Sequence, residues 1–221
     1  MLKKAMIMAA GVGSRLGALS SVVPKPLVGQ MASEFLRLYP SANILVTGEK
    51  DFSKKRRQQF ISRIATGDYD CIIMSHQQFE KIPISMEREK ALLERQAEEL
   101  TEAIAEMIAN DETRSNWTVK QMETAKKNIL EQIQTLNSTP RDDVITFEEL
   151  GIDCLMVDEA HCYKNLAIFS KMTNVAGITS GGSKRAMDMY LKCQYITEIN
   201  GGRGVIFATG TPISNSLCEM Y

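Results

Sequence analysis

Leu155-Met156-Val157-Asp158-Glu159-Ala160-His161 is the stretch on which the reading of this chain turns. A short apolar run leads straight into two adjacent carboxylates, and a histidine follows two residues later. A strand ending this way carries its acids at the edge of a sheet, where a metal-bound phosphate is within reach. Taken alone, the same residues also suit a strand followed by a helix-capping aspartate. A second apolar run, Val205-Ile206-Phe207-Ala208, ends in Thr209-Gly210-Thr211-Pro212. Alone this is an ordinary turn. Downstream of the acidic stretch it gains meaning, because Thr209 and Thr211 then become expected hydrogen-bond partners of the acids and of His161.

Working outward, Ala5 to Ala10, Ile44 to Thr47, Cys71 to Met74, Ile152 to Val157 and Val205 to Ala208 are strand-length apolar runs. Their nearly continuous hydrophobicity predicts strands buried on both faces, as in a parallel sheet. Helical spacing marks Met31 to Leu38, with Phe35 and Leu38 on one face, and Lys54 to Ile64, with Phe60, Ile61 and Ile64. Alternating strands and helices predict an α/β domain whose site lies at the carboxyl ends of the strands. Residues 86–138 break the alternation. Leu93, Ala97, Leu100, Ile104 and Met107 form one stripe. Val119, Met122, Ile129, Ile133 and Leu136 form another, with Lys126 in the gap and a polar turn at Asn110 to Asn116. They predict an inserted antiparallel helical hairpin, either packed on itself and its parent domain or serving as a partner- or DNA-contacting arm.

Of 221 residues, 44% are hydrophobic and 24% charged. Lys plus Arg is 26 against 27 Asp plus Glu, a net charge of -1. That excludes a global basic excess, so nucleic-acid contact needs a local patch. Lys54-Lys55-Arg56-Arg57 is one candidate, and a solvated helix face is its plainer reading. The five cysteines form no C-x-x-C pair, which argues against structural zinc. Cys71 and Cys154 sit in apolar runs, suggesting buried thiols and a reducing compartment. The first apolar run is too short for a signal sequence, and none approaches a membrane span. The expectation is a cytoplasmic chain with no membrane partner. His76, following the run Cys71 to Met74, has no nearby ligand pattern, and a structural role is expected for it.

VDEAH at 157–161 resembles motif II of superfamily-two helicases, and ATGTPISNS at 208–216 resembles motif III as Snf-type translocases carry it. Residues 29–47, 67–82 and 146–166 are similar to the same family. The resemblance extends to large bacterial and phage proteins of mobile elements, some fused to a DNA methyltransferase, and it runs over residues 29–221. It implies a RecA-like first lobe (29–85 and 139–221, interrupted by the hairpin 86–138). It also implies ATP with Mg2+, double-stranded DNA as track and a second helicase lobe. Asp158 would then bind Mg2+ and Glu159 assist hydrolysis, with His161, Thr209, Gly210 and Thr211 as coupling residues.

The chain carries no G-x-x-x-x-G-K-[ST] loop to cradle phosphates. The nearest approach, GITSGGSK at 177–184, has its serine and lysine in the wrong order and reads as a loop. A partial lobe that hydrolyses ATP poorly or not at all by itself is therefore expected, with the arginine-finger lobe beyond Tyr221. Residues 1–28 read differently. Lys3 to Leu16 followed by Pro24-Lys25-Pro26-Leu27 resembles the opening of sugar-phosphate nucleotidyltransferases, implying nucleotide contacts from Gly11, Gly13, Arg15 and Lys25. The competing reading makes Ala5 to Leu19 a helix that follows a P-loop and Val22-Val23-Pro24 the next helicase motif. Gly11, Gly13 and Gly17 make a poor helix, so a junction near Leu27 to Gly29 is preferred. A recombined reading frame and a truncated helicase gene both satisfy this. Two other functions stand beside the motor: nucleotidyl transfer to a sugar phosphate, and a non-catalytic DNA-binding fragment.

Overall fold

A computed structural model describes residues 4–9, 27–48, 51–53, 56–109, 116–138, 145–164, 166 and 183–211. All five apolar runs are strands: β1 Ala5–Ala9, β2 Ile44–Val46, β3 Cys71–Ser75, β4 Cys154–Val157 and β5 Val205–Phe207. The helices are α1 Leu27–Leu38, α2 Arg57–Thr66, α3 His76–Phe79, α4 Met86–Ala109, α5 Asn116–Ser138 and α6 Lys184–Ile199. The strands form one sheet in the order β2-β3-β1-β4-β5, and every pairing is parallel. This is the α/β architecture expected, consistent with a RecA-like lobe. Ala5 to Ala9 is a strand, so the helical reading of that stretch is wrong. Its unbroken apolar run suits a central strand with a neighbour on either side.

Parallel neighbours need crossovers, and the helices that supply them cover the two faces. Ile7, Cys71 and Ile73 point to the face covered by α1, through Ala32, Val28, Met31 and Phe35. Met6, Met8, Leu45, Ile72, Met74, Leu155 and Val157 point to the other, against Phe60, Ile61 and Ile64 of α2 and Met189, Leu191 and Ile196 of α6. One-residue alternation along each strand thus feeds both cores. The run in β5 differs from expectation. Ile206 and Phe207 are 52% and 55% exposed, because among the described residues β5 has a neighbour on one side only.

α1, after β1, lies on one face, whereas α6, before β5, lies on the other. From β1 the chain moves to β2, and from β4 it moves the opposite way to β5. The sheet therefore switches direction between β1 and β4, the place where α/β sheets open a crevice at their carboxyl ends.

α4 and α5 pack through Leu93, Ala97, Leu100 and Ile129, with Met122, Ala125 and Ile133 around them. α4 has 24 residues, a length of about 36 Å. The six intervening positions span about 21 Å at most, too short for a parallel return, so the pair is antiparallel. The polar turn itself lies outside the described residues. α6 was not legible in the sequence. Among the described residues, no helix is long and apolar enough to cross a membrane.

Candidate functional site

Parallel register brings all five strand tips to one edge. Ala9 pairs with Ser75, Met8 with Val157, and Val157 with Phe207. Beyond the last paired residues the ladder continues for one step into the acidic turn. The Asp158 N–H donates to Met8 O at 3.0 Å, the Ala208 N–H to Val157 O at 2.8 Å, and the Ala160 N–H to Ala208 O at 3.0 Å. Asp158 thus sits at the β1/β4 switch, and Thr209 leaves β5 beside it.

Glu159 makes the turn. Its φ of 53° and ψ of 45° are left-handed, and it is the one non-glycine residue with positive φ among those described. A side chain in that region costs about 1–2 kcal/mol. Such strain is kept where the surroundings over-determine it, often at working sites. Glu159 Oε2 lies 2.9 Å from His161 Nδ1. A carboxylate only accepts, so the imidazole carries its proton at Nδ1. The same nitrogen lies 3.2 Å from Thr209 Oγ1, and that hydroxyl accepts the Thr211 N–H at 3.1 Å. Glu159, His161, Thr209 and Thr211 are therefore one hydrogen-bonded chain across two strand tips. Gly210 lies within it, and a Cβ there would meet open space.

Among the described residues, the Asp158 carboxylate receives one hydrogen bond, from the Glu159 N–H to Oδ1 at 3.0 Å. The described residues hold no group of three or more His, Cys, Asp or Glu able to cage a metal ion. Asp158 and Glu159 offer two carboxylates at one turn, the kind of oxygen donor Mg2+ takes when substrate phosphates and water complete its shell.

Behind the turn lies a polar layer around buried His76 that sequence reading missed. His76, 4% exposed, sits with Nε2 2.8 Å from Asp158 O and Nδ1 3.2 Å from Arg185 Nη2. A carbonyl and a guanidinium together admit one neutral tautomer, with the proton on Nε2. Burial, and then the Arg185 charge, lower the pKa of His76. Arg185 also ion-pairs with Glu80, and its guanidinium lies 4.6 Å from the Tyr163 ring centre. Next to this layer, Gln78 ties β2 to β3. Its Oε1 accepts from Thr47 Oγ1 at 2.5 Å and Ser75 Oγ at 3.1 Å, while Nε2 donates to Gly48 O at 2.8 Å. The visible signal was the polar run Ser75-His76-Gln77-Gln78 directly after a buried strand.

Gly11, Gly13, Arg15 and Lys25, the candidates of the nucleotidyltransferase reading, lie outside the described residues, as do Val22 to Pro24, Lys54, Lys55, Pro212 to Ser216 and residues 177–182. Of the basic run, Arg56 is exposed and Arg57 half-buried. Cys71 and Cys154 are buried free thiols, as expected.

The family profile described as "Probable helicase domain" matches residues 5–221, including the stretch that resembles nucleotidyltransferases. The chain is also similar to the Defense against restriction protein B of Escherichia phage P1, at 24% identity over 163 residues. That alignment covers 73% of this chain and 7% of the phage protein, so the chain spans a small part of that relative's length. With a profile match over nearly its whole length and a parallel sheet that gathers the motif residues at one edge, the chain belongs to the probable helicase domain family.

Proposed function

We propose that this chain is part of the first lobe of a DNA-dependent ATPase, a Snf-type translocase, acting in the cytoplasm on double-stranded DNA. One observation carries the reading: His161 bridges the second acid of β4 to the hydroxyl at the tip of β5, at 2.9 and 3.2 Å. In a phosphoryl-transfer site these positions have distinct tasks. Asp158 would hold the Mg2+ that neutralises charge on the nucleotide phosphates. Glu159 would accept a proton from, or orient, the attacking water. His161 shares its proton between Glu159 and Thr209, so a change at the acid alters the hydrogen bonding of the Thr209-Gly210-Thr211 turn. That is a short physical route from hydrolysis to a moving surface.

Without a glycine-rich phosphate loop ending in lysine, the 221-residue chain binds ATP weakly, and its turnover stays at background with or without duplex DNA. The test uses the longest in-frame polypeptide that carries residues 5–221. Duplex DNA should raise its ATP turnover, and Asp158→Asn should lower that turnover by a factor of about 100 or more. DNA-stimulated turnover unchanged by Asp158→Asn would refute the assignment.

A further inference from the structure

We propose that His76 and Arg185 are positioning residues that set the plane of the Asp158–Glu159 peptide, and through it the aim of both carboxylates. The inference rests on the reading of Asp158 and Glu159 as the working acids. The Asp158 N–H is held by Met8 and the Val157 carbonyl by Ala208, so the sheet ladder fixes the chain up to that point. The next carbonyl, Asp158 O, receives its donor from His76 Nε2 instead. Immediately after it the backbone enters the left-handed region at Glu159. Rotation of this one peptide would turn the Glu159 N–H away from Asp158 Oδ1, which it now holds at 3.0 Å, and would swing the Glu159 side chain, and the imidazole is the group that resists it.

The imidazole is itself held. Arg185 donates to Nδ1 from the first turn of α6, and its ion pair with Glu80 fixes the guanidinium. Tyr163 closes the circuit. Its ring is 5.4 Å from that of His76 and 4.6 Å from the guanidinium, and it belongs to the same 3-10 turn as His161. The layer therefore joins α6 to both ends of the acidic turn. His76 and Tyr163 are buried, whereas Arg185 and Glu80 are about a third exposed, so it is at His76 that a lost partner is not replaced by water.

The first measurement is long-range proton–nitrogen NMR of the imidazoles in the 221-residue chain, which expects the Nε2–H tautomer for His76. The second is amide exchange at Glu159 and Ala160. Arg185→Met, on the less buried side of the layer, should speed exchange there about two- to tenfold. His76→Phe keeps a ring but removes donor and acceptor, and should do so more strongly. His76→Gln retains one donor and one acceptor, and should restore part of the protection. An Nδ1–H tautomer, or equal exchange in the Phe and Gln variants, overturns the proposal. If His76→Phe fails to fold, Arg185→Met and the wild-type tautomer still decide. Mn2+ broadening around Asp158 in the same spectra, recorded with excess ATP to supply the phosphates, tests the metal reading separately. Its absence, together with the expected tautomer, sinks the metal site and leaves the positioning layer standing.

Discussion

Glu159 offers a prediction in which backbone and side chain can be separated. At φ 53° any residue with a Cβ pays about 1–2 kcal/mol relative to right-handed backbone. Glycine escapes that cost but loses about 0.4–1 kcal/mol more chain entropy on folding. Glu159→Gly and Glu159→Ala both remove the carboxylate and its pair with His161. The Glu159 side chain is 40% exposed in that pair, which is worth about 0–1 kcal/mol. The pair cancels when the two variants are compared, leaving the backbone difference. The Gly variant should be more stable than the Ala variant by about 0.5–1 kcal/mol, or roughly 1–4 °C in Tm for a chain of this size. Differential scanning calorimetry of the two variants is the assay. An Ala variant as stable as the Gly variant would show that the left-handed turn carries no strain. The left-handed turn would then need no functional reason to be kept.

Three further outcomes are expected. Lys192 is fully buried, 2.6 Å from Asp188 Oδ2, 3.2 Å from Phe79 O and 4.3 Å from the Phe79 ring centre. Asp188→Ala should cost about 3 kcal/mol by stranding that ammonium, and adding Lys192→Met should recover most of it; urea denaturation that finds the double variant no better than the single one contradicts this. His76 is held neutral by burial and by Arg185, whereas an unfolded histidine titrates near 6.5. Below that pH the unfolded chain takes up more protons than the folded one. The contribution of His76 is therefore complete above about pH 6.5 and shrinks as pH falls, and urea midpoints of His76→Gln should vary less over that range. Burial pushes the thiols of Cys71 and Cys193 up to about 12, whereas Cys162 is exposed and free. Iodoacetamide at pH 8 should modify Cys162 well before those two, as read by peptide mass spectrometry.

The candidate site was legible to different depths. The acids, His161 and the hydroxyl turn were visible because each follows an apolar run, and a strand must end where its apolar residues do. The hairpin was visible because its two stripes repeat at helical spacing. The His76 layer was not, since its partners Asp158 and Arg185 lie far along the chain and nothing in local spacing links them. Lys192 was hidden for the opposite reason. A lysine on a helix reads as solvated, yet here α6 turns it inward onto Phe79 and Phe147, where Asp188 and a backbone carbonyl meet its charge.

Composition and pattern by themselves determined the five strands, α1, α2 and the hairpin, the parallel character of the sheet and the residues at the tips of β4 and β5, because a strand within a parallel sheet is written as a near-continuous apolar run and a packed helix as an apolar stripe. Only the tertiary structure decided that β1 lies at the centre, that the sheet switches direction between β1 and β4, and that β5 has a single described neighbour. Strand order is a long-range choice, set by which faces the connecting helices cover, and no local stretch of the chain encodes it.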